Sequence, residues 1–238
     1  KAAPHIGGTN QHKPEGFNLL SHGLKPIRTH IWHDWIFINF NGKAKKFEEY
    51  AKPLIKRFND IDLKKLNYVA TLDFGKINTN WKFLIENFIE PYHVQFVHKK
   101  TTNQPLKDHY TFVDGKCYGS GVDVEQEDEK NYNALSVTSR YLSLFPNFIM
   151  GTYYPNQVGV YLNIPISPGI TSQKRIIYTI DNKVMTKKEI QATKDIWWNV
   201  HKEDHEMCER LQEGRSSPAS HNGGLLSPVW EKGVQAFQ

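Results

Sequence analysis

The chain has 238 residues, 39% hydrophobic and 23% charged, with a formal charge of +5 and a pI of about 9.0. That is enough for one large domain, or one domain with a small piece of another, in an ordinary globular composition. No apolar run approaches the ~18 residues of a membrane span, and no block of like charges marks a nucleic-acid tail. Cys117 and Cys208 lie far apart, which speaks against a disulfide framework and for a reducing, cytoplasmic setting. Residues 1–10 carry no signal peptide and read like the middle of a longer protein.

Residues 1–30 are rich in Gly, Pro, His and Asn and read as loop. Residues 35–40, WIFINF, read as a strand stopped by Asn41-Gly42. Residues 45–58 place Phe47, Tyr50, Leu54 and Phe58 at helical spacing, and Pro53 should kink or restart that helix. A strand over 68–74 follows, then a helix that Asn80 can cap. In it Trp81, Leu84, Ile85, Phe88 and Ile89 form one apolar stripe, disturbed near Pro91. Residues 111–180 are strand-rich. Val158, Val160, Leu162, Ile164 and Ile166 alternate after a Pro155-Asn156 turn, and 175–180 is a further strand. Residues 185–214 read as one long helix and 216–238 as loop. The order predicts an α+β fold: a curved antiparallel β-sheet packed by helices, among them a long C-terminal one, in a helix-grip-like arrangement.

The densest segment is 80–98, NWKFLIENFIEPYHVQFVH, with Glu86, Glu90, His93 and His98 among aromatic residues. Residues five apart sit about 140° apart around a straight helix, too far for His93 and His98 to share a metal there. Pro91 gives the backbone a reason to leave that geometry. Two histidines satisfied by backbone carbonyls are the plainer alternative. On the long helix Ile190, Trp197, Asp204 and Leu211 recur every seven residues, with Thr193, Val200 and Met207 at the i+3 positions. Asp204 therefore lies on the core-facing stripe, where an ionised carboxylate is costly unless paired or bound to a metal. A salt bridge would satisfy it. So would two neutral imidazoles around one metal, the facial triad of non-haem Fe(II) oxygenases. A zinc or copper site from His201, Asp204, His205 and Cys208, at i, i+3, i+4 and i+7, is a third reading. A solvated helix edge accounts for His201 and His205 more simply.

Segment 86–98 resembles the iron-binding segment of the Rieske non-haem iron oxygenases. Asn80-Trp81-Lys82, Glu86-Asn87, Glu90, Tyr92-His93 and His98 match its pattern in order. Leu144-Phe145-Pro146-Asn147 looks like the family's F-P-N strand, and Glu203-Asp204 with Gln212 like its C-terminal E-D…Q helix. Residues 35–42, WIFINFNG, look like the strand that ends the family's Rieske domain. The resemblance implies that His93, His98 and Asp204 bind Fe(II). It implies that Glu90 joins an iron-ligating His to a Rieske-cluster His of a neighbouring subunit and so carries electrons. A Rieske [2Fe–2S] cluster takes two Cys and two His, usually in C-x-H and C-x2-H pairs, and neither cysteine here sits in such a pair. This chain alone would not ligate the cluster. Residues 1–42 are then a C-terminal remnant of the Rieske domain, and 43–238 the iron-binding catalytic domain.

The activity implied is reductive O₂ activation, with one or two oxygen atoms entering a small organic substrate. The implied partners are an NAD(P)H-dependent reductase and two further copies of the chain in a homotrimer, with no nucleic acid and no membrane. Glu90 stands where Asp is commoner in the family, which resembles the subgroup acting on carnitine and related quaternary ammonium compounds. Tyr153, Tyr154 and Tyr161, on strands expected to curve around the iron, could cage a trimethylammonium group, with Asn87 as a further substrate candidate. Ordinary core aromatics are the plainer account of the tyrosines. An aromatic ring-hydroxylating dioxygenase or demethylase is the runner-up, and a metal-free ligand-binding domain is the alternative outside enzymes.

Overall fold

The computed structural model describes residues 15–18, 20–102, 104–123, 139–153, 156–180 and 184–238. It divides into two units, Lys1–Phe47 and Glu48–Gln238. In the first, β1 (Arg28–Trp32) pairs antiparallel with β2 (Trp35–Asn39) around a turn in which His33 has φ 51°. The loop reading of residues 1–30 missed β1. Five residues of mixed character declare a strand only once β2 pairs with them.

Helix α1 (Phe47–Tyr50) is followed by α2 (Lys52–Lys56), which begins the second unit's helical layer. Pro53 lies in the first turn of α2, where a missing N–H breaks no helical bond, so the helix restarts there. Strand β3 (Asn67–Ile77) leads to α3 (Trp81–Ile89). The Asn80 side chain caps α3 by accepting from the Lys82 N–H at 2.9 Å. A single turn, α4 (Val94–Val97), comes next. The strands β4 (His109–Asp114), β5 (Cys117–Val122), β6 (Ser139–Leu144), β7 (Phe148–Tyr153), β8 (Gln157–Ser167) and β9 (Ile170–Thr179) then form a meander. With β3 added beside β9, the sheet order is β3-β9-β8-β7-β6-β5-β4, every neighbour antiparallel.

Helix α5 (Lys187–Arg215) opens with a reciprocal capping box between Thr186 and Glu189. Its buried line runs Thr193, Trp197, Val200, His201 and Cys208, while Leu211 is exposed. A straight helix drifts off a strict seven-residue repeat, so the last heptad position leaves the core. Helix α6 (Lys232–Phe237) lies in the tail read as loop, and Val234 and Phe237 join the core.

One core cluster packs Ile85 and Ile89 of α3 and Val234 and Phe237 of α6 onto Tyr118, Ile149 and Tyr161 of the sheet. Another packs Trp197 and Val200 of α5 onto Leu72, Tyr153 and Ile177. The β8 alternation has the expected period but the opposite sense at its far end. Leu162, Ile164 and Ile166 face outward, and Asn163 is buried. No described helix is long and apolar enough to cross a membrane.

These contacts rank two stability effects. Ile89 is fully buried, so Ile89→Ala should cost about 2–5 kcal/mol through lost transfer energy and a cavity. Thr186→Ala removes one cap at an exposed helix start and should cost only about 1 kcal/mol. Urea midpoints of the two variants against the parent check the order, and equal losses would contradict it.

Candidate metal centre

The start of α3 is fastened to the C-terminal half of α5. The Asn78 N–H donates to Glu209 Oε1 at 2.9 Å, Thr79 Oγ1 to the Cys208 carbonyl at 3.0 Å, and the Asn80 N–H to Gln212 Oε1 at 2.9 Å. These bonds set the register between the helices. They also give Gln212 of the matched motif a structural task. At the other end of α3 the backbone turns extended at Glu90 (ψ 142°), just before Pro91. His93 then precedes α4 and His98 follows it, one at each end of a single turn. The straight-helix objection to that pair is removed as Pro91 suggested.

Both imidazoles turn toward Asp204. His98 Nε2 lies 3.1 Å and His93 Nε2 3.6 Å from Asp204 Oδ1. One potential ligand atom from each of the three residues falls within 4.8 Å of the other two, and no other such group of His, Cys, Asp or Glu occurs among the described residues. The far nitrogen of each ring is held by a carboxylate. Glu90 Oε1 lies 2.5 Å from His93 Nδ1, and Glu203 Oε2 lies 2.8 Å from His98 Nδ1. Glu203 is itself held by Thr101 Oγ1 at 2.7 Å, and Asn87 Nδ2 donates to Asp204 Oδ1 at 2.9 Å. Glu90 Oε2 also accepts from the backbone N–H groups of Tyr92 and His93.

This donor chemistry fits a divalent metal. A carboxylate accepts only, so each Nδ1 carries an N–H, and a neutral ring then keeps its lone pair on Nε2. In neutral rings, two lone pairs and a carboxylate oxygen facing one another suit a divalent cation among them; in metal-free protein a proton on His98 Nε2 takes that place. Electrostatics at His98 carry the same message. Burial opposes its charged form, yet the charge and hydrogen bond of Asp204, then those of Glu203, push its pKa up from 6.5 to about 9. Asp204 is driven the other way: burial penalises its charge, but His98 above all holds it well below the usual carboxylate range.

The three residues border a cavity of about 60 Å³, whose wall also includes Asn87, Glu90, Phe88, Tyr141, Tyr153 and Tyr161. Tyr153 and Tyr161 do line the cavity. Tyr154 lies outside the described residues. The cation their rings face is the chain's own Arg175, 4.6 and 5.0 Å from the two centroids. His201 is no solvated helix edge. It is 5% exposed, and burial and then the charge of Arg175 lower its pKa well below the ordinary value. His205 bonds Gln173 Oε1 at 2.7 Å, and Cys208 Sγ points to the Phe83 carbonyl, so the alternative His201–Cys208 metal set does not converge. Both cysteines are free and buried. Sequence reasoning gave Glu203 no task and missed Arg175. The E-D pair signalled the first, while nothing in an alternating strand signals a buried arginine.

Residues 55–238 match the model of the ring hydroxylating alpha subunit (catalytic domain). The chain belongs to this family. It is 26% identical over 222 residues to a chloroplastic choline monooxygenase of Atriplex hortensis, covering 90% of this chain and 50% of that protein. The chain thus spans about half the length of the curated relatives it matches. A crystal structure of a quaternary ammonium Rieske monooxygenase shares the fold, with a TM-score of 0.76 at 18% identity over 94% of this chain and 63% of that one. So does a naphthalene 1,2-dioxygenase from Rhodococcus sp., with a TM-score of 0.61 at 15% identity over 89% and 61%. The expected sheet and long C-terminal helix are therefore those of Rieske oxygenase catalytic domains, a family of oxidoreductases that use mononuclear Fe(II) and a Rieske [2Fe–2S] cluster.

The charge pattern has a consequence for metal-free protein. A folded-state pKa above the unfolded value means that the stability His98 contributes is complete below pH 6.5 and is lost as pH rises through about 9. In protein stripped of metal with a chelator, the urea midpoint should fall across that window. Asp204→Asn should flatten the fall, and an unchanged slope in that variant would contradict the assignment.

Proposed function

We propose that this chain is the iron-binding part of a terminal oxygenase. In this reading His93, His98 and Asp204 hold Fe(II), and the small organic substrate is a quaternary ammonium compound oxygenated at the adjoining cavity. The observation that carries the reading is the convergence of two Nε2 atoms and one carboxylate, with each Nδ1 anchored by a further carboxylate. When bound there, Fe(II) supplies O₂ activation at coordination positions the three protein ligands leave open.

The chain's own residues do the rest. Glu90 and Glu203 fix ring orientation and tautomer and raise the basicity of both imidazoles. Asn87 holds one oxygen of Asp204. Phe88, Tyr141 and Val94 keep the cavity wall apolar and water-poor. Glu90 spends Oε2 on its own backbone and Oε1 on His93. A carboxylate oxygen accepts about two hydrogen bonds, so Oε1 has one acceptor position to spare. This suits the proposed task of joining His93 to a cluster-ligating His of a neighbouring subunit in a homotrimer. Inter-subunit electron transfer is described for a quaternary ammonium Rieske monooxygenase of the same fold. The cluster would be held by the Rieske domain of the complete protein, of which residues 1–42 are the end, and reduced by an NAD(P)H-dependent reductase. Two buried free thiols suit a reducing compartment such as the cytoplasm.

The substrate class rests on the choline monooxygenase relatives and on Glu at position 90. The second reading, oxygenation of an aromatic ring, is favoured by the wall of Phe88, Tyr141 and Tyr161 and by the shared fold of naphthalene dioxygenase.

Anaerobic reconstitution of the complete protein tests the site. The parent should retain stoichiometric iron and His93→Ala should lose it. Glu90→Gln should keep its iron yet lose cluster reoxidation and product in a single turnover, and Glu90→Asp should keep part of both. Iron in His93→Ala at the parent level, or parent-like reoxidation in Glu90→Gln, would count against the assignment concerned.

A further inference from the structure

Arg175 is fully buried on β9, opposite Tyr161 of β8 in the strand register. Its surroundings are aromatic or neutral. The guanidinium carbon lies 3.4 Å from the Trp197 centroid and farther from those of Tyr153 and Tyr161. Nη1 donates to Tyr161 Oη and reaches His201 Nε2 at 3.3 Å. Nε and Nη2 are buried without a hydrogen-bond partner among the described residues. They lie over bare backbone, because a Cβ on Gly159 would come within 2.7 Å of Nη2. Ring faces offset part of the cost of burying this charge, and no carboxylate among the described residues pairs with it.

The hydroxyl groups extend the cation to the cavity. Arginine can only donate, so Tyr161 Oη accepts from Nη1. Tyr153 Oη lies 3.0 Å from Tyr161 Oη. Two hydroxyl protons serve this pair. One spans the gap between the oxygens, and the other has no described acceptor. Both tyrosines line the cavity. His201 adds no negative charge: it accepts at Nε2, so it is neutral with its proton on Nδ1. The result is a fixed positive charge backing an uncommitted O–H donor, the arrangement that receives an anionic oxygen.

We propose that Arg175, Tyr153 and Tyr161 form the seat for a carboxylate group of the substrate. This rests on the reading of the cavity as the substrate site and narrows it. The substrate is anionic or zwitterionic, and any quaternary ammonium end turns away from the Tyr153, Tyr161 and Trp197 rings, whose cation is already in place.

The probes are 4-(trimethylammonio)butanoate, its methyl ester and bromide, used with the complete protein. By calorimetry the acid should bind roughly tenfold or more tighter than the ester. Arg175→Met should remove that preference without changing iron content. Should that variant fail to fold, the doubly substituted Tyr153→Phe, Tyr161→Phe protein keeps the rings and should lose the preference as well. An ester that binds as tightly as the acid, or a preference that survives loss of both hydroxyls, overturns the proposal. If neither compound binds, the quaternary ammonium reading fails, and crystals soaked in bromide decide the seat alone. An anomalous peak at the tyrosine hydroxyls sustains it and an empty position ends it. Bromide at the seat while acid and ester bind equally tightly assigns it to a free anion and also overturns the proposal.

Discussion

The burial of one carboxylate organises the catalytic unit. Asp204 sits on the inner stripe of α5, and desolvation alone would neutralise it. It stays ionised because two imidazoles face it, and they can face it only if α3, the Pro91 bend and α5 hold a fixed register. That register comes from Asn78, Thr79 and Asn80 bonding to Glu209, the Cys208 carbonyl and Gln212. A slip of one residue along α5 would move Asp204 about 100° around the helix and out of reach of both rings. The sheet, through Ile85, Ile89 and Tyr161, supplies the rigid floor against which α3 is held.

The helical half of the site was legible because helices announce their inner face. Asn80 could be seen as a cap, Pro91 as a bend, and Asp204 as an anomaly on an apolar stripe. Each follows from spacing. The strand half was not legible in the same way. Leu162, Ile164 and Ile166 look like the buried side of β8 and are its exposed side. Hydrophobic alternation reports the core only where the core is apolar. Here the inner face of β8 and β9 carries Asn163, Thr171, Gln173 and Arg175, all buried.

Asn163, Thr171 and Gln173 are tied into hydrogen bonds that offset part of the cost of burying them. Gln173 Nε2 donates to Asn163 Oδ1 at 2.8 Å, its Oε1 meets His205, and Thr171 Oγ1 donates to the Thr79 carbonyl at 2.8 Å. They form a hydrogen-bonded seam between the sheet and α5. Such a seam is indifferent to hydropathy but demanding in geometry. It locks α5 along the sheet at the level of His201 and His205. The adjoining turn of α5 carries Asp204. Strand residues that would be scored as solvent-facing in isolation therefore help to position the proposed iron ligand.

The same seam separates two charges that would otherwise meet. Arg175 and Asp204 lie on opposite sides of His201, whose Nε2 faces the guanidinium at 3.3 Å and whose Nδ1 faces Asp204 Oδ2 at 4.0 Å. A buried guanidinium and carboxylate in direct contact would form a strong bidentate pair, and that pair would take Asp204 away from His93 and His98. A neutral imidazole between them prevents this. It accepts from one side and presents an N–H to the other, and burial holds it uncharged. The cavity is left with an acidic end, where Glu90, Glu203 and Asp204 surround the paired imidazoles, and a basic wall, where Arg175 backs two tyrosines. Separating opposite charges across a small, water-poor space costs folding energy. Its result is polarity: the carboxylates and the guanidinium are held apart by His201, on opposite sides of it.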